Sequence, residues 1–79
     1  MSTPTELPPL PATPLGRYRH YKGGEYDVLG CVRHSETLEP LVLYRPLYGQ
    51  RGDWVRPHAM FFETVVIAGV AQPRFAHLG

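Results

Sequence analysis

The stretch Glu25-Tyr26-Asp27-Val28-Leu29-Gly30-Cys31-Val32-Arg33-His34 decides the fold class. Side chains on a β-strand alternate between faces with a period of two. Here Tyr26, Val28, Gly30 and Val32 fall on one face, and Asp27, Leu29, Cys31 and Arg33 on the other. The first face is apolar or small throughout, which predicts a strand with one buried side. Gly30 in its middle predicts a bulge or a sharp bend, of the kind small barrels use to turn corners. Just upstream, Gly16-Arg17-Tyr18-Arg19-His20-Tyr21 is short and aromatic-rich, and Lys22-Gly23-Gly24 is a turn signal. The two segments together predict a hairpin.

Working outward on the C-terminal side, Ser35 to Glu39 is polar and runs into Pro40, so it reads as a loop. Leu41-Val42-Leu43-Tyr44 is an apolar β-prone run. Pro46 cannot donate to a ladder and belongs at an edge or irregularity. Gly49 to Gly52 is a turn, and Asp53-Trp54-Val55-Arg56 is a short strand ended by Pro57. Met60-Phe61-Phe62 before Glu63 suits one helical turn, since Pro57 sits well at a helix start. Val65-Val66-Ile67 is strongly β, Ala68-Gly69 is a turn before Val70, and Pro73-Arg74-Phe75 closes the domain as an edge strand. The expected fold is mainly β: a small antiparallel open barrel, SH3-like, of about five strands with one short helical turn. A five-stranded oligonucleotide-binding barrel is the nearest alternative.

On the N-terminal side the composition changes at Gly16. Residues 1–15 hold five of the nine prolines. Proline lacks an amide donor and favours extended polyproline II geometry. The segment therefore reads as a disordered proline-rich tail, with residues 16–79 as the small β-barrel domain. Pro8-Pro9-Leu10-Pro11 and Pro14 also give PxxP spacing, which can dock into an aromatic groove of a partner.

A domain this short buries only roughly 60% of its unfolded surface, so its stability is marginal. A disulfide cannot staple it, because Cys31 is the single cysteine. A lone cysteine fits a reducing compartment and a cytoplasmic location. No apolar run approaches membrane-spanning length, and no basic stretch leads into an apolar one, so neither a membrane span nor a signal peptide is expected. The formal net charge of +1 weighs against strong non-specific nucleic-acid binding, which draws its affinity from basic excess. The charge is uneven, however. Arg17, Arg19, Lys22 and Arg33 fall early and most acids later, which allows a local basic face.

Few motifs carry chemistry. Lys22-Gly23-Gly24 lacks the spacing and following helix of a phosphate-cradling loop, and no nucleophile elbow is present. Cys31 and His34 lie three apart, which puts them on opposite faces of a strand. His20, His58 and His77 have no partners at ligand spacing, so no metal site and no cofactor is expected. His34-Ser35-Glu36-Thr37 is the densest run, with His34 as a candidate general acid or base and Glu36 to orient it. Against that, adjacent residues rarely converge, and Ser35 and Thr37 suit the satisfaction of loop amides.

Nine aromatic residues are spread over every expected strand, more than so small a core can bury completely. Some must present rings or hydroxyls at the surface, where tyrosine and tryptophan are typical recognition residues. Arg17, Arg19, Arg45, Arg56 and Arg74 are interleaved with them, and arginine beside aromatics can stack on bases or grip phosphate and carboxylate. The candidate ligand-binding set is Tyr18, His20, Tyr21, His34, Glu36, Tyr44, Trp54, Arg56 and Arg74.

The order Gly16-x-Tyr18-x-His20-Tyr21-Lys22-Gly23, Tyr26-x-Val28-Leu29-Gly30, His34-Ser35-Glu36-Thr37, Leu41-Val42-x-Tyr44, Leu47-Tyr48-Gly49, Trp54-Val55-Arg56-Pro57, Met60-Phe61-x-Glu63 and Pro73-Arg74-Phe75 resembles a bacterial family catalogued as domain of unknown function 1653. The resemblance runs from Gly16 to Phe75 and implies a short bacterial protein or module. It supplies no activity, substrate or site. The residues themselves favour a non-catalytic binding module, whose partner is a small anionic ligand, a peptide, a nucleotide or single-stranded nucleic acid. Near-neutral charge ranks sequence-tolerant nucleic-acid binding below a small anion or a protein. A small enzyme using His34 and Glu36, and a structural or assembly protein pairing through a strand edge, are the alternatives.

Overall fold

The computed structural model describes residues 7–79; the first six residues of the expected 1–15 tail lie outside the described residues. Seven strands and one helical turn follow in order: β1 (Gly16–His20), β2 (Glu25–Arg33), β3 (Pro40–Pro46), β4 (Trp54–Pro57), α1 (His58–Phe61), β5 (Thr64–Ile67), β6 (Val70–Pro73) and β7 (Phe75–His77). Five of them form one antiparallel sheet in the order β4-β3-β2-β1-β7, and β5 and β6 form a separate two-stranded ribbon. The fold is a small mainly β fold, and its described strands do not close into a barrel.

The expected hairpin is β1–β2, with Tyr18 opposite Tyr26 and Arg19 opposite Glu25. Gly23, at φ +106°, supplies the positive φ of its turn. The bulge expected at Gly30 is present: Val28 pairs with Tyr44 but Gly30 with Leu43, leaving Leu29 as the extra residue. Its consequence overturns one expectation. An extra residue reverses which side chains face inward beyond it, so Val32 is not on the buried face but 38% exposed. Cys31 instead lies opposite the fully buried Val42.

The core consists of Tyr18, Val28, Val42, Tyr44, Phe61 and Phe75, with Tyr26 and Phe62 packed against it. Pro57 caps α1 with φ −50°, and the turn delivers Phe61 into the concave face of the sheet at 0% exposure. There Phe61 stacks on Phe75 with centroids 4.1 Å apart and meets Tyr18 edge-on at 5.4 Å. Edge-to-face and offset aromatic pairs are each worth roughly 0.5–1.5 kcal/mol beyond the area they bury. The sheet curls around this plug until its two edges approach across it.

The C-terminal half differs from the sequence expectation in strand number. Pro73 ends β6 rather than opening the last strand, and β7 begins at Phe75. The β5–β6 turn is Ala68-Gly69, as expected, with both residues at positive φ (51° and 77°). That is the geometry of a two-residue hairpin whose twist matches its strands. Arg74 closes the base of the ribbon: its N–H donates to the Glu63 carbonyl at 2.9 Å, and its guanidinium binds the Glu63 carboxylate through Nε at 2.8 Å and through a terminal nitrogen, while its own carbonyl accepts the Tyr21 N–H at 2.9 Å and joins the ribbon to the body.

Residues 8–15 form no strand or helix but are held at three carbonyls. Tyr18 Oη donates to Pro14 O at 2.7 Å, Arg33 donates to Pro8 O at 2.7 Å, and His77 Nε2 lies 3.1 Å from Leu15 O.

Candidate functional site

The β1–β2 turn brings His20, Lys22, Gly24, Glu25 and Tyr26 to one end of the sheet, and the loop after β3 lays Leu47 and Tyr48 beside them. Together they line a cleft of about 690 Å³. The loop is fixed there by the Leu47 N–H, which donates to the Glu25 carbonyl at 3.0 Å. Tyr26 and Tyr48 form the wall, with their hydroxyls hydrogen-bonded at 2.7 Å and their rings edge-to-face at 5.7 Å. Gly24 makes this approach possible, because a Cβ on it would lie 3.1 Å from the Tyr48 ring.

The electrostatics of the cleft are cationic. Its one acid, Glu25, is engaged by Arg19 at 2.9 Å and by Arg17 at 3.9 Å. Arg74 is matched by Glu63 and Arg45 by Asp53. Lys22 and Arg56 have no carboxylate partner among the described residues, and Arg56 Nε is buried without a hydrogen bond. His20 senses these charges. Burial first, and then Arg74, Arg56 and Lys22, hold its pKa below the ordinary histidine value. Its Nδ1 accepts the Lys22 N–H at 3.1 Å, which leaves Nε2 to carry the proton of the neutral ring. The Tyr26 hydroxyl is pushed up to about 12, mainly by burial and by its bond to Tyr48, with Arg56 opposing.

Four residues of the sequence-derived set come together at this end of the sheet, and of these His20 lines the cleft. His20 lies 4.4 Å from Tyr21, Arg74 sits over Tyr21 at 5.9 Å, and Arg56 sits over Phe75 at 5.7 Å while the His20 ring meets Phe75 edge-on at 4.8 Å. The remaining five are elsewhere. Tyr18 (1% exposed) and Tyr44 are core residues. Trp54 is 59% exposed on the same face as Tyr44, which it opposes across β3–β4. His34 and Glu36 lie beyond the far end of the nine-residue β2. There His34 Nδ1 accepts the amides of Glu36 and Thr37 at 3.1 and 3.2 Å, so this ring organises its own loop. The nine residues do not share one surface, because strand periodicity and the bulge send them to different faces and ends.

Sequence reasoning passed over Tyr26, Tyr48 and Lys22 as site residues. Alternation alone places Tyr26 on the buried face, and Tyr48 lies in a loop with no periodicity to read. The signal that could have found Lys22 is its position in the turn between two aromatic segments, where a side chain stands at the mouth of a hairpin.

No described helix is long and apolar enough to cross a membrane, and no group of three metal-capable side chains occurs among the described residues. A family model described as "Protein of unknown function (DUF1653)" matches residues 16–77. A crystal structure of a protein of the same family from Bordetella bronchiseptica is similar to this chain at 42% identity and a TM-score of 0.79, over 85% of this chain and 88% of that one. No curated protein matches the chain.

Proposed function

The chain belongs to the DUF1653 family, whose function is unknown, and from the geometry of its cleft we propose that it is a binding module for a small anionic ligand. The anion sits at the β1–β2 turn, contacted by Lys22 and His20, with Arg56 adding charge from behind Tyr26 and His20. One observation carries this reading. Lys22, which has no carboxylate partner among the described residues, lines this cleft together with His20; the half-buried Arg56, over the Phe75 ring that His20 also meets, lacks such a partner too, and the cleft's one acid is already engaged by Arg17 and Arg19. Arg56 is half-buried and its Nε has no hydrogen-bond partner; an anion supplied by a ligand gives these cations the partner that the described residues do not. The lone Cys31 suits a reducing compartment, so the module is read as cytoplasmic.

Titration with inorganic phosphate, followed by NMR, tests the reading. Shifts confined to His20, Lys22, Gly24 and Tyr26, weakening as salt is added and lost in a Lys22→Met/Arg56→Met double variant, are expected. An unchanged spectrum at millimolar phosphate and at low salt would falsify it.

A further inference from the structure

A second cavity, of about 290 Å³, shares Tyr26 and Tyr48 with the first; Tyr44, Pro46, Gly49, Gln50 and Trp54 complete its lining. No charged side chain lines it. No carboxylate stands there to pair a cation, which the ring faces alone would have to hold. What it presents is aromatic surface and one amide that both donates and accepts hydrogen bonds, which matches an uncharged planar ring with polar edges. The rings are available: Trp54 is 59% and Tyr48 55% exposed.

Tyr26 and Tyr48, which line both cavities, tie this one to the cationic cleft. Trp54 and Arg56 are two residues apart on β4 and oppose the core residues Tyr44 and Val42, so both face the concave side of the sheet. Tyr48 stands on the rim between the two cavities.

Resting on the anion reading above, we propose that the ligand is a nucleoside monophosphate, with its phosphate at Lys22 and His20 and its base against Trp54 and Gln50. The same chemistry is offered by a free mononucleotide and by the 5′ end of a phosphorylated oligonucleotide. The small number of unpaired cations favours the free form, because a longer backbone gains little affinity without further lysines and arginines.

Calorimetric and NMR titrations of the full chain with inorganic phosphate, adenosine, adenosine 5′-monophosphate and a 5′-phosphorylated tetranucleotide test this. Adenosine monophosphate is expected to bind at least tenfold more tightly than phosphate and to shift Trp54 and Gln50 as well as Lys22 and His20. Trp54→Ala should remove that tenfold advantage while leaving phosphate binding unchanged, and Gln50→Ala, at an exposed loop position, serves as a second variant independent of the strand. If phosphate binds but the monophosphate binds no better, the nucleotide proposal is overturned and the anion reading survives. If adenosine binds as well as the monophosphate, the nucleotide proposal is overturned and the ring cavity stands, and the anion reading stands or falls with the phosphate arm. If neither binds, both fall. Affinity equal for mononucleotide and tetranucleotide supports the free ligand; affinity that climbs with length replaces it with a strand end.

Discussion

Arg56 and Phe75 belong to strands at opposite edges of the five-stranded sheet, yet the Arg56 guanidinium lies 5.7 Å from the centroid of the Phe75 ring. The contact measures how far the sheet curls. It also explains why the cationic end of the molecule is assembled from both termini of the fold: Phe75 pairs with His20 on β1, so a cation reaching across from β4 arrives beside the β1–β2 turn.

Arg56→Met should raise the pKa of His20 toward its ordinary value, because Arg56 is one of three cations that hold it down. The change is read by NMR titration of the ring. Burial is the larger cause and remains, so recovery is expected to be partial. The same depression sets a stability profile. The folded state binds a proton at His20 less readily than the unfolded chain, so this contribution is complete above the unfolded value near 6.5. It is lost as pH falls from there through the lowered folded value. Arg56→Met should flatten that slope in urea titrations between neutral and acid pH.

Tyr48→Phe deletes the hydroxyl partner of Tyr26. The Tyr26 pKa, now about 12, should drop toward 10 without reaching it, since burial persists; phenolate absorbance in an alkaline titration measures this. A raised folded value means that stability is complete below about 10 and is lost as pH rises toward 12. The variant should narrow that window.

Phe61→Ala empties the centre of the aromatic plug. Large-to-small changes of this kind cost about 3–5 kcal/mol, against a total stability of roughly 5–15 kcal/mol for ordinary domains. In so small a domain, chemical denaturation should find the variant largely unfolded, and loss of near-ultraviolet circular dichroism would accompany it.

Ala68→Gly should stabilise the protein. Alanine at φ 51° carries roughly 1–2 kcal/mol of left-handed strain, and glycine costs about 0.5–1 kcal/mol in backbone entropy. A net gain of about 0.5 kcal/mol should appear as a small rise in the denaturation midpoint.

His34→Ala tests the division of labour between the two ends of the sheet. Losing the acceptor for the Glu36 and Thr37 amides should cost about 1 kcal/mol and increase amide exchange across Ser35–Leu38, while phosphate binding at His20 and Lys22 stays unchanged. His34→Asn, which keeps an acceptor near the same position, should restore much of the loss.

The strands were legible where local chemistry alone sets them. Alternation in Glu25–Arg33, the glycines at 23 and 24, the proline at 57 and the Ala68-Gly69 pair each act within a few residues, so the β1–β2 hairpin, the helical turn and the β5–β6 turn could be read directly. Val32 was assigned to the wrong side for a specific reason. Gly30 predicts a bulge, but which side chains point inward after it depends on the partner strand, and the pairing of Cys31 with Val42 exists only in the folded sheet. The site was legible in composition and not in membership. That tyrosines, histidine and arginine would gather could be argued from the residues, but Tyr18 and Tyr44 were spent on the core, and Tyr26 and Tyr48 took their place at the surface.

The aromatic and basic segment from Arg17 to Phe75 by itself determined a small antiparallel β domain rich in recognition side chains, because periodicity and turn chemistry are properties of neighbours along the chain. Which of those side chains meet was decided only by the tertiary structure. Curling of the sheet around Phe61 brings Arg56 from one edge strand over Phe75 on the other, where His20 also packs, and it leaves His34 and Glu36 at the other end. Charge and aromatic content are carried by the residues, whereas a cleft is made by distances between strands that no local rule contains.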